Sequence, residues 1–146
     1  MKRKIHAAAS IIATLCIATF FCSTVLVELF GSTQAIATVK SFIVTPGLFL
    51  LVPAIAITGG TGFSLSKNMK GRLISSKQKR MPFIAANGLL ILLPSAIFLN
   101  QWAAEGLFDT RFYVFQGLEL LAGAVNLILM GMNMRDGLKL TGKLPS

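Results

Sequence analysis

The residues best able to carry chemistry here are three ionisable side chains within long apolar stretches, Glu28, Lys40 and Glu119, and Gln116, one turn before Glu119. An ionised group deep in a membrane costs about 2–3 kcal/mol or more unless it is paired or hydrated. We therefore predict that Lys40 pairs with Glu119 and that all four residues form one cluster in the outer half of the membrane. Two interpretations of this cluster are open. It is either a structural ion pair or a small polar cavity that binds a ligand or passes a proton.

His6 is the one histidine in the chain and lies beside three basic residues at a membrane edge. Haem held between two histidines of one protomer is therefore excluded. Ligation by His6 and a methionine, or by His6 from each of two protomers, stays open. The methionines that could serve are Met130, Met132 and Met134. Our main expectation is that the protein has no cofactor and no metal site.

Three asparagines in or next to the apolar stretches, Asn87, Asn126 and Asn133, are predicted to pack helices together. Hydrogen bonds between polar side chains on neighbouring membrane helices contribute about 0.6 kcal/mol each on average. Asn87 and Asn126 are both expected in the inner half, where they would join the third and fourth helices.

The segment Thr58–Phe63 (TGGTGF) is similar to the opening of the nucleotide fingerprint of short-chain dehydrogenases. That fingerprint requires a short buried strand before it and an acidic residue about 20 positions later. Here a long apolar run precedes the glycines, Leu65 stands in place of the last glycine, and the charged residues that follow are basic. The sequence also lacks a nucleophile elbow, a paired-histidine zinc motif and a phosphate-binding loop. We predict that the protein is not an enzyme.

Composition indicates the element type that positions these residues. Of 146 residues, 54% are hydrophobic and 13% are charged, which a soluble domain of this size could not accommodate in its core. Crossing a hydrocarbon core takes about 20 helical residues, and four apolar runs reach that length. They cover residues 5–30, 35–58, 83–103 and 112–134. We predict one transmembrane domain (1–146), an all-α integral membrane four-helix bundle of two antiparallel hairpins.

Residues at alternating spacings of four and three lie on one face of a helix, because each residue turns about 100°. In the last run these residues are Phe112, Gln116, Glu119, Gly123, Asn126, Met130 and Asn133. In the first run they are His6, Ser10, Thr14, Ile17, Phe21, Thr24 and Glu28. In the third run they are Asn87, Ile91, Pro94, Phe98 and Gln101. We expect a polar seam contributed chiefly by the first and fourth helices.

The net charge of +9 is distributed unevenly along the chain. Basic residues precede the first run, fill the segment 64–82 and follow the fourth run, whereas Glu28, Glu105 and Asp109 lie on the other side with only Arg111. This asymmetry predicts that both termini and a loop over 64–82 are cytoplasmic. The first run is too long for a cleaved signal peptide. The basic loop is expected to contact anionic lipid headgroups, and nucleic acid is not an expected partner.

The stretches Arg80–Gly88, Phe112–Asn126 and Asn133–Gly137 resemble a pattern in a family of small four-span proteins of the bacterial inner membrane. The resemblance covers most of the chain and implies the same location, but it brings no activity with it. The layout is also similar to the four-helix modules of copper-resistance membrane proteins and b-type cytochromes. Their histidines are missing here, so their function is not transferred.

We therefore predict a multi-pass protein of the bacterial inner membrane with both termini in the cytoplasm. Its expected function is that of a non-enzymatic accessory subunit or small-ligand-binding module that uses the outer polar cluster. A small transporter or proton-conducting oligomer is one alternative, and a haem- or quinone-associated redox accessory protein is another. A homo-oligomer or a larger membrane complex is the expected protein assembly.

Overall fold

The computed structural model describes residues 1–145, and every regular element in that range is helical. In chain order the helices are α1 (Lys2–Phe30), α2 (Thr33–Phe42), α3 (Phe49–Ser66), α4 (Arg72–Asn87), α5 (Leu93–Ala104) and α6 (Thr110–Leu140). Wide π-helical turns join α2 to α3 and α4 to α5. The result is four long helices, span 1 (Lys2–Phe30), span 2 (Thr33–Ser66), span 3 (Arg72–Ala104) and span 4 (Thr110–Leu140), each long and apolar enough to cross a membrane. The predicted all-α class and four candidate membrane spans are confirmed.

All four spans extend beyond the bounds predicted from the apolar runs. The largest difference is the segment 64–82, where the prediction of a loop is wrong except at residues 67–71. A helix satisfies its own backbone hydrogen bonds, and lysine, arginine and glutamine are good helix formers, so it can continue into a polar region. Pro82, a residue type favoured in the first turn of a helix, consequently lies inside α4.

Span 2 is interrupted by the π-helical segment Ile43–Leu48. Thr45 has φ −135° and ψ 111°, outside the helical range, because a residue before proline is disfavoured in the α conformation and Pro46 follows. Gly47 then lies against the ring of Phe20 from span 1. The backbone of span 2 therefore departs from regular geometry at Pro46, whereas Pro53 lies inside α3.

Span 3 contains a second wide turn at Gly88–Leu92, which changes its buried face. Beyond Asn87 the residues at alternating spacings of four and three do not form the buried face: Ile91, Phe98 and Gln101 are exposed. The buried residues are Ser95, Ala96, Leu99 and Ala103. A wide turn adds a residue, and one residue rotates the following helix face by about 100°. Accordingly, the buried residues Ser95 and Leu99 each lie one residue after a member of the four-and-three pattern, Pro94 and Phe98.

α1 packs mainly against α3, and α2 packs against α5. α6 packs against both α4 and α5. One apolar core comprises Ala13, Ile17, Leu51, Ala54 and Met130. The other comprises Ile36, Leu99, Ala103 and Phe112. We call the end of the molecule with residues 67–71 and the start of span 1 the terminal end, and the end with residues 31–32 and 105–109 the loop end.

Large apolar side chains cover the outside of all four spans. Those that are more than half exposed include Leu15, Leu26, Phe49, Leu90, Leu121 and Ile128. Soluble monomers rarely present so much contiguous apolar surface to water, whereas hydrocarbon solvates it well. The exterior of the molecule therefore agrees with the hydropathy of its spans.

At the loop end, the carboxylate of Asp109 begins span 4 by accepting a hydrogen bond from the main-chain N–H of Phe112 at 3.2 Å. The Arg111 guanidinium donates to the same carboxylate. The Phe112 amide and then Arg111 hold the pKa of Asp109 below its usual value. This cap fixes the start of the helix that carries most of the polar residues described below.

Candidate functional site

The Lys40 cluster, which we define as Glu28, Lys40, Gln116 and Glu119, has an ion pair at its centre. Nζ of Lys40 donates to Oε2 of Glu119 at 2.5 Å. The Lys40 side chain is fully buried and that of Glu119 is 12% exposed. α2 positions the lysine one turn before its wide turn, and α6 positions the glutamate on its buried face. The pair therefore joins span 2 to span 4.

Gln116 donates to the same carboxylate oxygen of Glu119, from Nε2 at 3.0 Å. This contact fixes the orientation of the amide, because the reversed amide would put two acceptor oxygens together. The side-chain oxygen Oε1 of Gln116 is then buried, and no donor within residues 1–145 reaches it. Gln116 itself is only 4% exposed.

Glu28 occupies the last turn of α1 and is partly buried. The charges of both Lys40 and Glu119 act on its carboxylate. Oε1 of Glu28 is buried and has no hydrogen-bond partner in the described part of the chain. Of the two glutamates, only Glu119 accepts a hydrogen bond from Lys40. The structure thus places Lys40, Gln116 and Glu119 in direct contact, with Glu28 within electrostatic range of Lys40 and Glu119 but without a hydrogen bond to them.

An apolar cavity of about 90 Å³ lies beside the Lys40 cluster. All four spans contribute to its wall, which is almost entirely aliphatic and aromatic. The polar residues on the wall are Thr24, Glu119 and Asn126. Glu119 therefore belongs both to the buried ion pair and to the wall of this cavity.

The two wide turns of the backbone border this cavity. Ile43 and Leu48 contribute from the turn in span 2, and Gly88, Leu89 and Leu92 contribute from the turn in span 3. Wide turns of this kind are frequent at functional sites because they displace side chains from the regular helical register. The hydropathy pattern of the sequence contains no signal for these two wide turns. Each turn contains one residue type that favours an irregular backbone, Pro46 in span 2 and Gly88 in span 3.

Asn87 and Asn126 form a buried pair between spans 3 and 4. Nδ2 of Asn87 donates to Oδ1 of Asn126 at 2.8 Å and to the carbonyl of Ala122 at 2.9 Å. Asn126 is fully buried and also borders the cavity. The geometry satisfies three polar groups at once and joins two helices.

A second ion pair at the terminal end was missed by the sequence reasoning. Nη1 of Arg80 donates to Oδ2 of Asp136 at 2.7 Å and to Oδ1 of Asn133 at 3.2 Å. Asp136 is 2% exposed. Asp136 lies three residues after Asn133 and therefore on the same helix face, although the alternating spacing itself leads to Gly137. Ending the fourth helix at residue 134 excluded Asp136 from the predicted face.

The expected seam between the first and fourth helices is corrected by these contacts. The polar side chains of span 4 take their partners from spans 2 and 3, through Lys40, Asn87 and Arg80. Span 1 contributes Glu28 at the loop end and a contact of Thr14 with the sulfur of Met134 at 3.6 Å. The reason is the packing order, in which α1 packs mainly against α3.

His6 joins span 1 to span 2. Its Nδ1 lies 3.1 Å from both the carbonyl of Thr58 and the hydroxyl of Thr61. Met81 and the His6 ring both lie against Gly62 in this crossing. Residues 1–145 contain no group of three or more histidine, cysteine or acidic side chains suited to a metal ion. Nε2 is the ring nitrogen left for a haem iron, and haem ligation by His6 stays an open alternative to the expectation of no cofactor.

The chain matches no known protein family, and neither the curated proteins nor the solved structures give a significant match. The resemblance to small four-span inner-membrane proteins stays a prediction, and the function is argued from the geometry of the site.

Proposed function

We propose that this chain is a non-enzymatic small-ligand-binding module of the bacterial inner membrane, working as an accessory subunit or a homo-oligomer. Its binding site is the Lys40 cluster together with the adjoining cavity. The transmembrane arrangement is a four-helix bundle of two antiparallel hairpins, with both termini in the cytoplasm.

The observation that supports this function is the double role of Glu119. Its carboxylate accepts from Lys40 and Gln116, and it also forms part of the wall of an apolar cavity lined by all four spans. Binding sites for small molecules are typically apolar pockets with a few precisely placed polar groups. A purely structural ion pair would require neither the cavity nor the unpartnered acceptors of Gln116 and Glu28.

The orientation is supported by the distribution of charge. The terminal end carries the basic residues of the two chain ends and of α4, whereas the loop end carries Glu105 and Asp109 with Arg111. Basic residues favour the cytoplasmic side and attract the anionic headgroups of its lipids. We therefore assign the terminal end to the cytoplasm and anionic lipids as its neighbours.

The test is purification in a mild detergent followed by native mass spectrometry of the intact particle. A small molecule retained by the wild-type protein and lost from Glu119→Gln is the expected result. Glu105→Gln is the matched control, because Glu105 is exposed at the loop end and lies outside the Lys40 cluster. Retention of the same molecule by both variants would contradict a site at Glu119. Subunits that remain attached would identify the accessory role.

One observation favours transport as a second candidate. Polar contacts occur at three depths along span 4, at Asp136, Asn126 and Glu119, with the cavity between the last two. A proton or small solute crossing the membrane would meet these groups in order. Flux into liposomes containing the protein, measured for wild type and Glu119→Gln, tests this function.

A further inference from the structure

We infer that the ligand of the Lys40 cluster is a small alkylammonium ion, with its charged head between Glu28 and Gln116 and its alkyl chain in the cavity. This inference rests on the proposed ligand-binding function and adds the chemical class of the ligand.

The charges of the Lys40 cluster do not balance. The cluster contains one lysine and two glutamates, so it lacks one positive charge. The nearest basic residue of the loop end, Arg111, donates to Asp109 instead. Within hydrocarbon an unpaired carboxylate is costly, and a cationic ligand removes that cost.

The Lys40 cluster also contains two buried hydrogen-bond acceptors for which the described residues provide no donor. Oε1 of Glu28 and Oε1 of Gln116 are both buried and both lack a donor among residues 1–145. A buried acceptor without a partner costs about 1–3 kcal/mol, so a ligand with several N–H groups gains affinity here. An alkylammonium head supplies three such donors and one positive charge. A carboxylate or phosphate ligand would supply further acceptors and more negative charge.

The cavity adjoins the Lys40 cluster that carries these acceptors. Thr24 lies on the cavity wall one turn from Glu28, and Ile43 lies on the wall three residues after Lys40. Residues separated by three or four positions share a helix face, so the cluster stands at one end of the cavity. Glu119 contributes to both. One molecule with a cationic head and an apolar tail therefore accounts for both features.

The size of the cavity limits the tail. An apolar cavity of roughly 150 Å³ accommodates benzene, which has six carbons. The smaller cavity beside Glu119 therefore suits an alkyl chain of about four carbons. The cavity measures about 90 Å³, and its wall is apolar apart from Thr24, Glu119 and Asn126. Longer chains or quaternary heads are expected to bind more weakly.

The experiment measures thermal unfolding of the purified full-length chain in mild detergent, at constant pH and ionic strength. The four additives are n-butylammonium, 1-butanol, butyrate and sodium ion. Butylammonium is expected to raise the unfolding temperature in a saturable way, and the other three are not. Glu28→Gln is expected to weaken the apparent affinity for butylammonium at least ten-fold, whereas Glu105→Gln leaves it unchanged.

A second variant tests the tail independently of charge. Ala96 is buried and lies on the cavity wall, so Ala96→Leu fills the cavity and is expected to abolish the butylammonium shift. If Glu28→Gln does not unfold cooperatively, Ala96→Leu alone tests whether butylammonium binds with its alkyl chain in the cavity.

Equal stabilisation by 1-butanol and butylammonium would overturn the cationic class and leave small-ligand binding intact. A saturable effect of sodium alone, or none from butylammonium, would also overturn the inference. In each of these cases the proposed function is judged separately, by the molecule retained in native mass spectrometry. Loss of both results would contradict both proposals.

Discussion

Nζ of Lys40 lies 2.5 Å from Oε2 of Glu119, and the lysine is fully buried while it makes this contact. Removing one partner of a buried pair leaves an uncompensated charge, which typically costs 3–5 kcal/mol. Replacing both partners with groups of similar volume is far less costly. Single and double substitutions of Lys40 and Glu119 therefore test how much this ion pair contributes to the free energy of unfolding.

Lys40→Met is expected to lower the free energy of unfolding by about 3 kcal/mol, because Glu119 then remains charged without its partner. Glu119→Gln in the same chain is expected to recover part of this loss. Thermal unfolding in detergent, followed by the fluorescence of Trp102, measures both variants. Lys70→Met is the control, since Lys70 is exposed. Full stability of Lys40→Met would contradict a structural role of the pair.

Asn87→Leu is expected to destabilise the chain by about 0.6–1.7 kcal/mol, between the average and the largest value measured for hydrogen bonds between membrane helices. The fully buried Oδ1 of Asn126 loses its donor in this variant. The double variant Asn87→Leu/Asn126→Leu leaves neither amide unpaired and is expected to be at least as stable as the single one. Chemical or thermal unfolding measures this, with Asn68→Leu at an exposed position as the control. Additive losses in the double variant would show that the two amides act independently.

The face of span 4 could be predicted from spacing alone, and Phe112, Gln116, Gly123, Asn126 and Met130 are buried as the pattern requires. The spacing succeeded because span 4 is a regular helix from end to end. In span 3 the same rule failed after Asn87, since a wide turn adds a residue and the sequence around it has no feature that demands one. Regularity of the backbone is thus the condition under which periodicity predicts a face.

The partners of the polar residues were predictable only where depth restricted the choice. Lys40 has few acidic residues at a similar depth, so Glu119 followed from the cost of burying a charge. Asp136 and Arg80 lie where a helix leaves the apolar run, and hydropathy does not indicate how far a helix continues in polar surroundings. The cavity depends on the fit of four helices and has no signature in the sequence.

Gly47→Ala is expected to destabilise the chain by about 1–3 kcal/mol through overpacking. A methyl group at Gly47 would lie 2.6 Å from Cζ of Phe20 and 2.9 Å from the main-chain oxygen of Phe42. Gly59→Ala is the matched control in the same span, because apart from its chain neighbours and the backbone of its own helical turn no heavy atom of the described residues lies within 4 Å of the new methyl group. The control is expected to be neutral or stabilising by up to about 1 kcal/mol. Equal effects of both substitutions would contradict the close approach of spans 1 and 2.

Arg80→Met is expected to weaken the contact between spans 3 and 4 at the terminal end. Asp136 is 2% exposed and receives from Arg80 its hydrogen bond to Oδ2, so the variant leaves a buried carboxylate poorly paired. Arg80→Met/Asp136→Leu is expected to recover stability relative to the single variant. Hydrogen exchange of α4, followed by mass spectrometry, measures the effect locally. Arg72→Met is the control at an exposed position in the same helix, and a similar increase in exchange there would contradict the prediction.

The charge asymmetry predicts which end of the molecule faces the cytoplasm, and cysteine labelling measures it directly. Cys16 and Cys22 are first replaced by alanine, since both are free thiols. In that background, Glu105→Cys at the loop end is expected to react with a membrane-impermeant maleimide in intact spheroplasts. Ser75→Cys in α4, also exposed, is expected to react only after the membrane is opened. The opposite result would contradict the positive-inside assignment, because six basic residues between positions 67 and 80 would then have been translocated.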